Sequence, residues 1–529
     1  MVIMREENDV RQLYIPWAIF NELHDNKNYR YADVATWPRM RSRVQARFFH
    51  SAKVTEPTRE GLYRAIDQSR FGDVLAYLVK KNILADSLPR LSAWLHAIPH
   101  THYVLLKARE EFQDSAHVPF YGAGASYTSF TEALSKAIGE FLERFALLTS
   151  SFHHNNAIRL LSFGDKKIPR TFFYNTPRFF SWQQSYCPKG LTSEILNQDI
   201  VRDAVFSCVR GESVQHGKKV YIPLQYIQWG PDSLQKNFRG DSYKISPKTT
   251  SGAGGGFTLA EATLSGLCEL IERDGFLIFW LNRLSPRRVS LENDDAHRFS
   301  PRFWEVYRSL SDRGYTIYFL DTTTDLGIPS VACCIIAPLP DGKNAITISG
   351  KCHANPVQAL ERALLEHVAF LSSSPRESNI SITREHYTPF ANANIGKKER
   401  ISLWRSGDMT DEILFFITGK EVAVGQWMQE FPPVSAGPEH MLAYILSEFT
   451  KKEKESGSAY DVFRYVARDP ILKELGYKVV KVIVPALMPL YLKETYAPLD
   501  CVRLREVPEK LGYRAASPDC YNPFPHPFG

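Results

Sequence analysis

Three stretches of the chain repeat one pattern of polar and apolar positions. Each opens on a helix-capping signature, Ser129-Phe-Thr-Glu132, Thr258-Leu-Ala-Glu261 or Asn355-Pro-Val-Gln358, with an acceptor at the cap and Glu or Gln three residues later. The fourth residue after the cap is alanine in all three (Ala133, Ala262, Ala359), and the eighth is small (Ala137, Gly266, Ala363), so each helix offers a face for close packing. The eleventh is glutamate every time: Glu140, Glu269 and Glu366. Two copies continue as E-x-x-E-R, adding Glu143 with Arg144 and Glu272 with Arg273, while the third reads Glu366-His-Val-Ala369. At about 3.6 residues per turn, positions seven, eleven, fourteen and fifteen share one stripe, which begins at Lys136, Ser265 or Arg362. The opposite stripe is apolar, with Leu134, Ile138, Phe141, Leu142 and Phe145 in the first copy and Leu267, Leu270 and Ile271 in the second. One E-x-x-E-R is ordinarily a solvated face. Three copies in one register predict core helices that turn carboxylates toward a shared site.

Glycine-rich stretches precede the helices: Gly122-Ala-Gly124, Ser251-Gly-Ala-Gly-Gly-Gly256 and Gly350-Lys-Cys. They read as turns that let backbone N–H groups and a helix N-terminus approach an anion. Neither G-x-x-x-x-G-K-[ST] nor a complete G-x-G-x-x-G is present, which excludes a P-loop and an evident dinucleotide fingerprint. Five carboxylates converging with Lys136, Arg144, Arg273 and Arg362 suit a metal-bridged triphosphate. Mg²⁺ takes hard oxygen ligands, and guanidinium groups pair with phosphate oxygens. A di-iron bundle would need E-x-x-H pairs on two helices, and none of the three has one.

Composition narrows the setting. At 529 residues, with 44% hydrophobic and 23% charged, the chain is expected to fold as two or more domains around a large core. No run of about 18 apolar residues suggests a membrane span. The N-terminal MVIMREENDVRQLYIPW carries charges where a secretory signal needs an apolar run, so a cytoplasmic location is expected. Eight cysteines without a C-x-x-C pair predict reduced, buried thiols rather than a zinc site. A net charge of +6 and short basic clusters argue against nucleic acid as a partner.

The segments YGAGASYTSFTEALSKAIGEFLERFA, SGAGGGFTLAEATLSGLCELIERD and GKCHANPVQALERALLEHVAF resemble, in this order, the three motifs of the YcaO superfamily, and the likeness spans roughly residues 116 to 529. The resemblance implies an α+β YcaO-type ATP-binding fold, with layered β-sheets and internally repeated carboxylate-bearing helices. It further implies that Glu140, Glu143, Glu269, Glu272 and Glu366 bind Mg²⁺ with ATP, and that Lys136, Arg144, Ser251, Arg273 and Arg362 contact the nucleotide. The last residues, Asn522-Pro-Phe-Pro-His-Pro-Phe-Gly529, contain Pro523-x-Pro525-x-Pro527, similar to the PxPxP tail with which azoline-forming members bring the chain end to the active site. That favours a cyclodehydratase (ATP to ADP and phosphate) over the thioamide-forming branch or a non-catalytic peptide-presenting scaffold. The Gly529 carboxylate or His526 would then serve as base. Departures from the family pattern are Lys136 for the usual Ser, Ser251 for Asn, Ala123 for a frequent Lys and Ala369 for Gln.

Residues 1 to 115 read as a smaller, mainly helical docking region, with RFGDVLAYLVKKNILADSLPRLSAWLHAI as its clearest amphipathic run, ahead of a catalytic domain over 116 to 529. The resemblance implies a leader-bearing precursor peptide as substrate and a separate E1-like leader-binding subunit as partner. It also implies an FMN-dependent azoline dehydrogenase where rings are oxidised, and a homodimer within a hetero-complex.

Overall fold

A computed structural model of the chain describes residues 70–81, 83–84, 90–92, 102–109, 121–126, 130–147, 158–173, 204–228, 240–242, 245, 249–339, 341–371, 384–387, 395, 397–492, 494 and 497–528. In chain order the elements are α1 (Arg70–Lys80), β1 (Arg90–Ser92), β2 (His102–Lys107), β3 (Tyr121–Ser126), α2 (Phe130–Phe145), β4 (Arg159–Ser162), β5 (Val205–Ser213), β6 (Lys219–Pro223), β7 (Ala253–Gly256) and α3 (Leu259–Leu281). There follow β8 (Arg287–Ser290), α4 (Pro301–Ser311), β9 (Thr316–Asp321), β10 (Ser330–Pro338), β11 (Asn344–Cys352), α5 (Pro356–Leu371), α6 (Lys397–Arg405), α7 (Thr410–Ile417), β12 (Glu421–Ala423), α8 (Val424–Gln429), α9 (Pro438–Ser456), β13 (Phe463–Val466), α10 (Pro470–Leu475), β14 (Lys478–Ile483) and α11 (Arg503–Lys510).

Among the described residues the strands form three sheets, in the orders β1-β2-β3, β11-β10-β9-β8-β12 and β4-β5-β13-β14-β7, with β6 added on β5. All pairings are antiparallel except β12 on β8. This is the mixed helix-and-sheet, α+β architecture that the resemblance implied. β2 and β3 pair along six residues, His102 against Ser126 through Lys107 against Tyr121, so position 115 falls between two strands of one sheet. The run from Arg70 to Ile98 is not one helix. It is helical to Lys80, and Arg90–Ser92 form β1. Residues 1 to 69, most of the expected docking region, lie outside the described residues.

The three predicted helices form as α2, α3 and α5. Thr258 and Glu261 make the full capping box of α3, and the Asn355 carboxamide oxygen accepts from the N–H groups of Val357 and Gln358 at the start of α5. Each helix packs on the strand just before it, α2 on β3, α3 on β7 and α5 on β11, and each also touches a strand of another copy: α2 on β7, α3 on β11, α5 on β3. The three strand–helix units therefore close a ring. Their apolar stripes sit in distinct cores: Leu134, Ile138 and Phe141 with Phe206 and Phe463, and Leu267 and Ile271 with Val480 and Phe449. Among the described residues no helix is long and apolar enough to cross a membrane.

Candidate nucleotide and metal site

Apart from a turn at Ser251-Gly252, the glycine stretches lie in strands, and this corrects the sequence reading. Gly122 and Gly124 lie in β3 and Gly254 in β7, where they serve contact with the helix. A Cβ on Gly124 would stand 2.0 Å from the Ala133 carbonyl oxygen, and one on Gly254 would stand 2.1 Å from that of Ala262. Gly266 meets β7 in the same way, its Cβ position 2.4 Å from the Gly252 carbonyl oxygen. In the first two units the small positions four and eight of the helix and the glycines of the strand are thus two halves of one interface, whereas Gly350 of β11 faces the Phe528 ring. In the third unit the Ser349 hydroxyl donates to the Ala363 carbonyl at 2.7 Å. Only Gly252 needs glycine's conformational freedom as well, at φ +84°.

This approach orients the carboxylates. The Ala123 N–H donates to Glu140 at 2.5 Å and the Gly252 N–H donates to Glu269 at 3.0 Å, each across a sequence separation of 17 residues. Glu143 accepts from the Gly255 N–H of the neighbouring unit. The strand donors expected to meet an anion are instead occupied by the helix carboxylates. Arginines follow in register: Arg144 pairs with Glu140 at 2.6 Å, and Arg273 lies 3.5 Å from Glu269 and 3.4 Å from Glu272.

The charges crowd one another. Burial pushes the Glu143 carboxyl up to about 8, with Glu269 and Glu140 adding repulsion. Burial lifts Glu272 to about 7, against the pull of Arg273 and Lys351. Burial also resists ionisation of Glu366, but Lys351 and Arg273 outweigh it and hold that carboxyl below its ordinary value. Lys136 pairs with Glu132 at 2.7 Å and feels both Glu366 and Arg362, which places all three around one cleft; burial lowers its pKa. Arg362 is exposed, with its Nε on Gln358 at 3.2 Å. Ser251 is buried, and its hydroxyl has no hydrogen-bond partner among the described residues. The five glutamates and the five predicted nucleotide contacts therefore lie on the three units that close on one another.

Two lysines join them that the repeat pattern did not single out. Lys351 of β11 reaches Glu366 at 3.2 Å and Glu272 at 3.8 Å. Burial works against its charge, and Glu366, Glu272 and Glu269 overcome that, so its pKa is raised. Lys481 of β14 is buried with its ammonium on the Thr249 carbonyl at 2.7 Å, and burial lowers it to about 8 despite Glu269 and Glu143. A single lysine inside the apolar run Val479 to Val484 was the sequence signal for Lys481.

The C-terminal segment is buried rather than loose. Tyr387 donates to the Pro523 carbonyl at 2.9 Å, the Trp280 indole to that of Phe524 at 3.3 Å and the Trp404 indole to that of Pro525 at 2.8 Å. Phe528 bridges Ile348 on the edge of β11 and packs on Phe276, and the Arg273 guanidinium lies 4.1 Å from its ring centroid. The strap so formed ends against the second carboxylate helix. His526 is not placed to act as a base: it is fully buried, its Nε2 donates to the Tyr491 carbonyl at 2.9 Å, and Arg400 lies against the ring. Burial and Arg400 hold its pKa well below normal, so it is neutral and structural. Pro523, Pro525 and Pro527 carry no reactive group and shape the strap; Gly529 lies outside the described residues.

The donor set fits Mg²⁺ with a nucleotide. Glu272 is 2% exposed and its Oε2 lacks a hydrogen-bond partner among the described residues, as do the buried Nε and Nη1 of Arg273, the latter in a 3.4 Å ion pair with Glu272. These are hard oxygens and guanidinium donors still short of hydrogen bonds among the described residues. Among the described residues no three acidic, histidine or cysteine side chains enclose a cation by themselves. A cation here would be completed by phosphate oxygens, as is usual for Mg²⁺.

Convergent carboxylates, flanking cations and strand–helix repeats define a nucleotide- and metal-dependent enzyme class without a P-loop. The model of the YcaO cyclodehydratase family, described as ATP- and Mg²⁺-binding, matches residues 122–488, and the chain belongs to that family. A curated relative, an uncharacterized protein in the tfuA 3′ region of Rhizobium leguminosarum bv. trifolii, is 29% identical over 185 residues, 34% of this chain; the chain spans 41% of that relative's length. Among solved structures, a heterocyclase in complex with substrate and cofactor superposes with TM-score 0.62 at 17% identity, over 88% of this chain and 57% of that one. YcaO from Methanopyrus kandleri, bound with AMPPCP and Mg²⁺, gives TM-score 0.51 at 16% identity, over 79% and 91% of the two chains. A chain of the E. coli microcin synthetase McbBCD complex gives 0.51 at 14% identity, over 83% and 96%. These likenesses establish the fold. ATP and Mg²⁺ are the cofactors the family description gives.

Proposed function

We propose that the chain is an ATP-dependent cyclodehydratase that closes Cys, Ser or Thr side chains of a ribosomally made, leader-bearing precursor peptide onto the preceding amide, giving thiazoline or oxazoline rings. The observation that carries this reading is the buried Pro523-x-Pro525-x-Pro527 strap, which brings Phe528 onto Arg273 beside the carboxylates. Bound ATP with Mg²⁺ would supply a phosphoryl group to the amide oxygen, turning a poor leaving group into phosphate. Glu140, Glu143, Glu269, Glu272 and Glu366 would hold the metal. Lys136, Arg144, Ser251, Arg273 and Arg362 would fix the phosphates, so that charge neutralisation and alignment do most of the catalysis. With His526 held neutral in the core, the Gly529 carboxylate is our candidate for proton removal. Residues 1–115 are assigned to docking, within a hetero-complex that includes a homodimer of this chain and an E1-like leader-binding subunit. An FMN-dependent dehydrogenase would join where azoles are made.

The test is the intact mass of a co-expressed precursor with its partner subunit, comparing wild type with Glu269→Ala and with a chain truncated before Pro523. Loss of one water per ring in wild type, absent in both variants, is expected. Exchange of oxygen for sulfur would replace this reading with thioamide formation, and an unchanged precursor beside an active partner would replace it with a peptide-presenting scaffold.

A further inference from the structure

In the first two units the carboxylate at helix position eleven is met by the arginine four residues on: Arg144 on Glu140 at 2.6 Å and Arg273 by Glu269 at 3.5 Å. The third helix has Phe370 at that place and no such arginine. Its Glu366 is met instead by a cation from the strand, Lys351, at 3.2 Å, and the same ammonium lies 3.8 Å from Glu272 of the second unit. At the corresponding strand position, four residues before the cap, the other units carry Ala125 and Gly254, which put no charge there. Glu272 is 2% exposed and its Oε2, the oxygen nearest the ammonium, has no hydrogen-bond partner among the described residues. A buried carboxylate in that condition needs a cation beside it.

We propose that the Lys351 ammonium is a resident cation of the site, standing where a divalent ion would otherwise bridge Glu272 and Glu366 and keeping that position closed to metal until nucleotide enters. The inference rests on reading the cluster as the Mg²⁺–nucleotide site. Lys351 is a positioning residue in this sense. Its single charge neutralises the two carboxylates only in part, and its flexible four-carbon stem lets the ammonium turn to a phosphate oxygen when one arrives with its own metal. Removing the charge leaves two inward carboxylates from different units with only the Arg273 guanidinium beside them, 3.4 Å from Glu272, and opens the place of the ammonium to a divalent ion.

The experiment is Mn²⁺ titration followed by electron paramagnetic resonance, on the full chain with neither nucleotide nor peptide present. Wild type, Lys351→Met, Lys351→Arg, Glu366→Gln and the double variant Lys351→Met with Glu366→Gln are compared, with thermal melting and AMPPCP binding as checks on the fold. Lys351→Met is expected to bind Mn²⁺ at least about ten-fold more tightly than wild type, because two carboxylates are freed for one ion. Lys351→Arg should behave as wild type, and the double variant should lose the gained site. A folded Lys351→Met that binds Mn²⁺ no better than wild type overturns the proposal. So does a wild-type chain that takes up Mn²⁺ without nucleotide in a manner abolished by Glu366→Gln, whether or not the Met variant folds. Because no peptide enters the assay, an unmodified precursor in the mass experiment leaves this result standing.

Discussion

Phe528→Ala separates the strap from the rest of the core. The ring is 4% exposed, lies 4.5 Å from Phe276 centroid to centroid, and carries the Arg273 guanidinium over its face at 4.1 Å. Truncating a buried Phe to Ala costs about 3 to 5 kcal/mol, and the cation–π contact accounts for about 1 kcal/mol of that. The residue sits at the end of a segment that can detach by itself, so the loss falls on local opening rather than on global unfolding. Taking the lower bound of about 3 kcal/mol, the open fraction of the strap rises roughly 150-fold. Hydrogen–deuterium exchange over residues 521–528 reads this directly: amides there should exchange on the order of 100-fold faster, while those of α3 and β14 keep their wild-type rates. Exchange within about three-fold of wild type would refute the reasoning, because it would mean that the Trp404 and Tyr387 bonds to the strap carbonyls, worth about 1 kcal/mol each, hold the segment without the ring.

Gly254→Ala places a methyl 2.1 Å from the Ala262 carbonyl oxygen, where only backbone could yield, so β7 must part from α3; a cost of about 3 kcal/mol or more is expected, seen as a lower melting temperature and weakened AMPPCP binding. Gly217→Ala, which meets nothing within 4 Å and is strained only by φ +63°, should cost about 1 kcal/mol and leave nucleotide binding intact. His526 is neutral in the fold but takes up a proton near pH 6.5 once unfolded, so its contribution to stability is full above that pH and is lost as pH falls toward its depressed native pKa. Between pH 7.5 and 5.5 the loss is about 1.4 kcal/mol; His526→Gln should flatten the pH dependence of denaturant stability by that amount, and an unchanged slope would count against a neutral native imidazole.

The helix repeat was readable because caps, small faces and carboxylates obey a local period: Thr258, Ala262, Gly266 and Glu269 do in the fold what their spacing implied. The glycines misled, since a strand pressed against a helix backbone and a tight turn draw on the same residue for the same lack of a Cβ. Lys351 and Lys481 could not be assigned partners from the sequence, because tertiary packing decides them: Lys351 meets glutamates of two different helices, and β14 lies beside β7, with Lys481 opposite Ala253, more than two hundred residues away. β1 was taken into a helix because Arg90 to Ser92 is too short to show an alternation. The tail's place near the site followed from family likeness alone. Its burial rests on Trp280, Trp404, Tyr387 and Arg400, and all four lie outside the three motifs.

The ring of strand–helix units also bears on how the molecule folds. Each carboxylate–strand bond closes a loop of 17 residues in the first two units, short enough to form early with little loss of chain entropy. The contacts that close the ring, α2 on β7, α3 on β11 and α5 on β3, span far longer stretches and must follow. An incompletely folded chain can therefore hold correctly oriented glutamates in separate pieces without any cluster of them. The cluster arises only at closure, and since every unit both receives and makes one docking contact, loosening any of the three disperses all the carboxylates together.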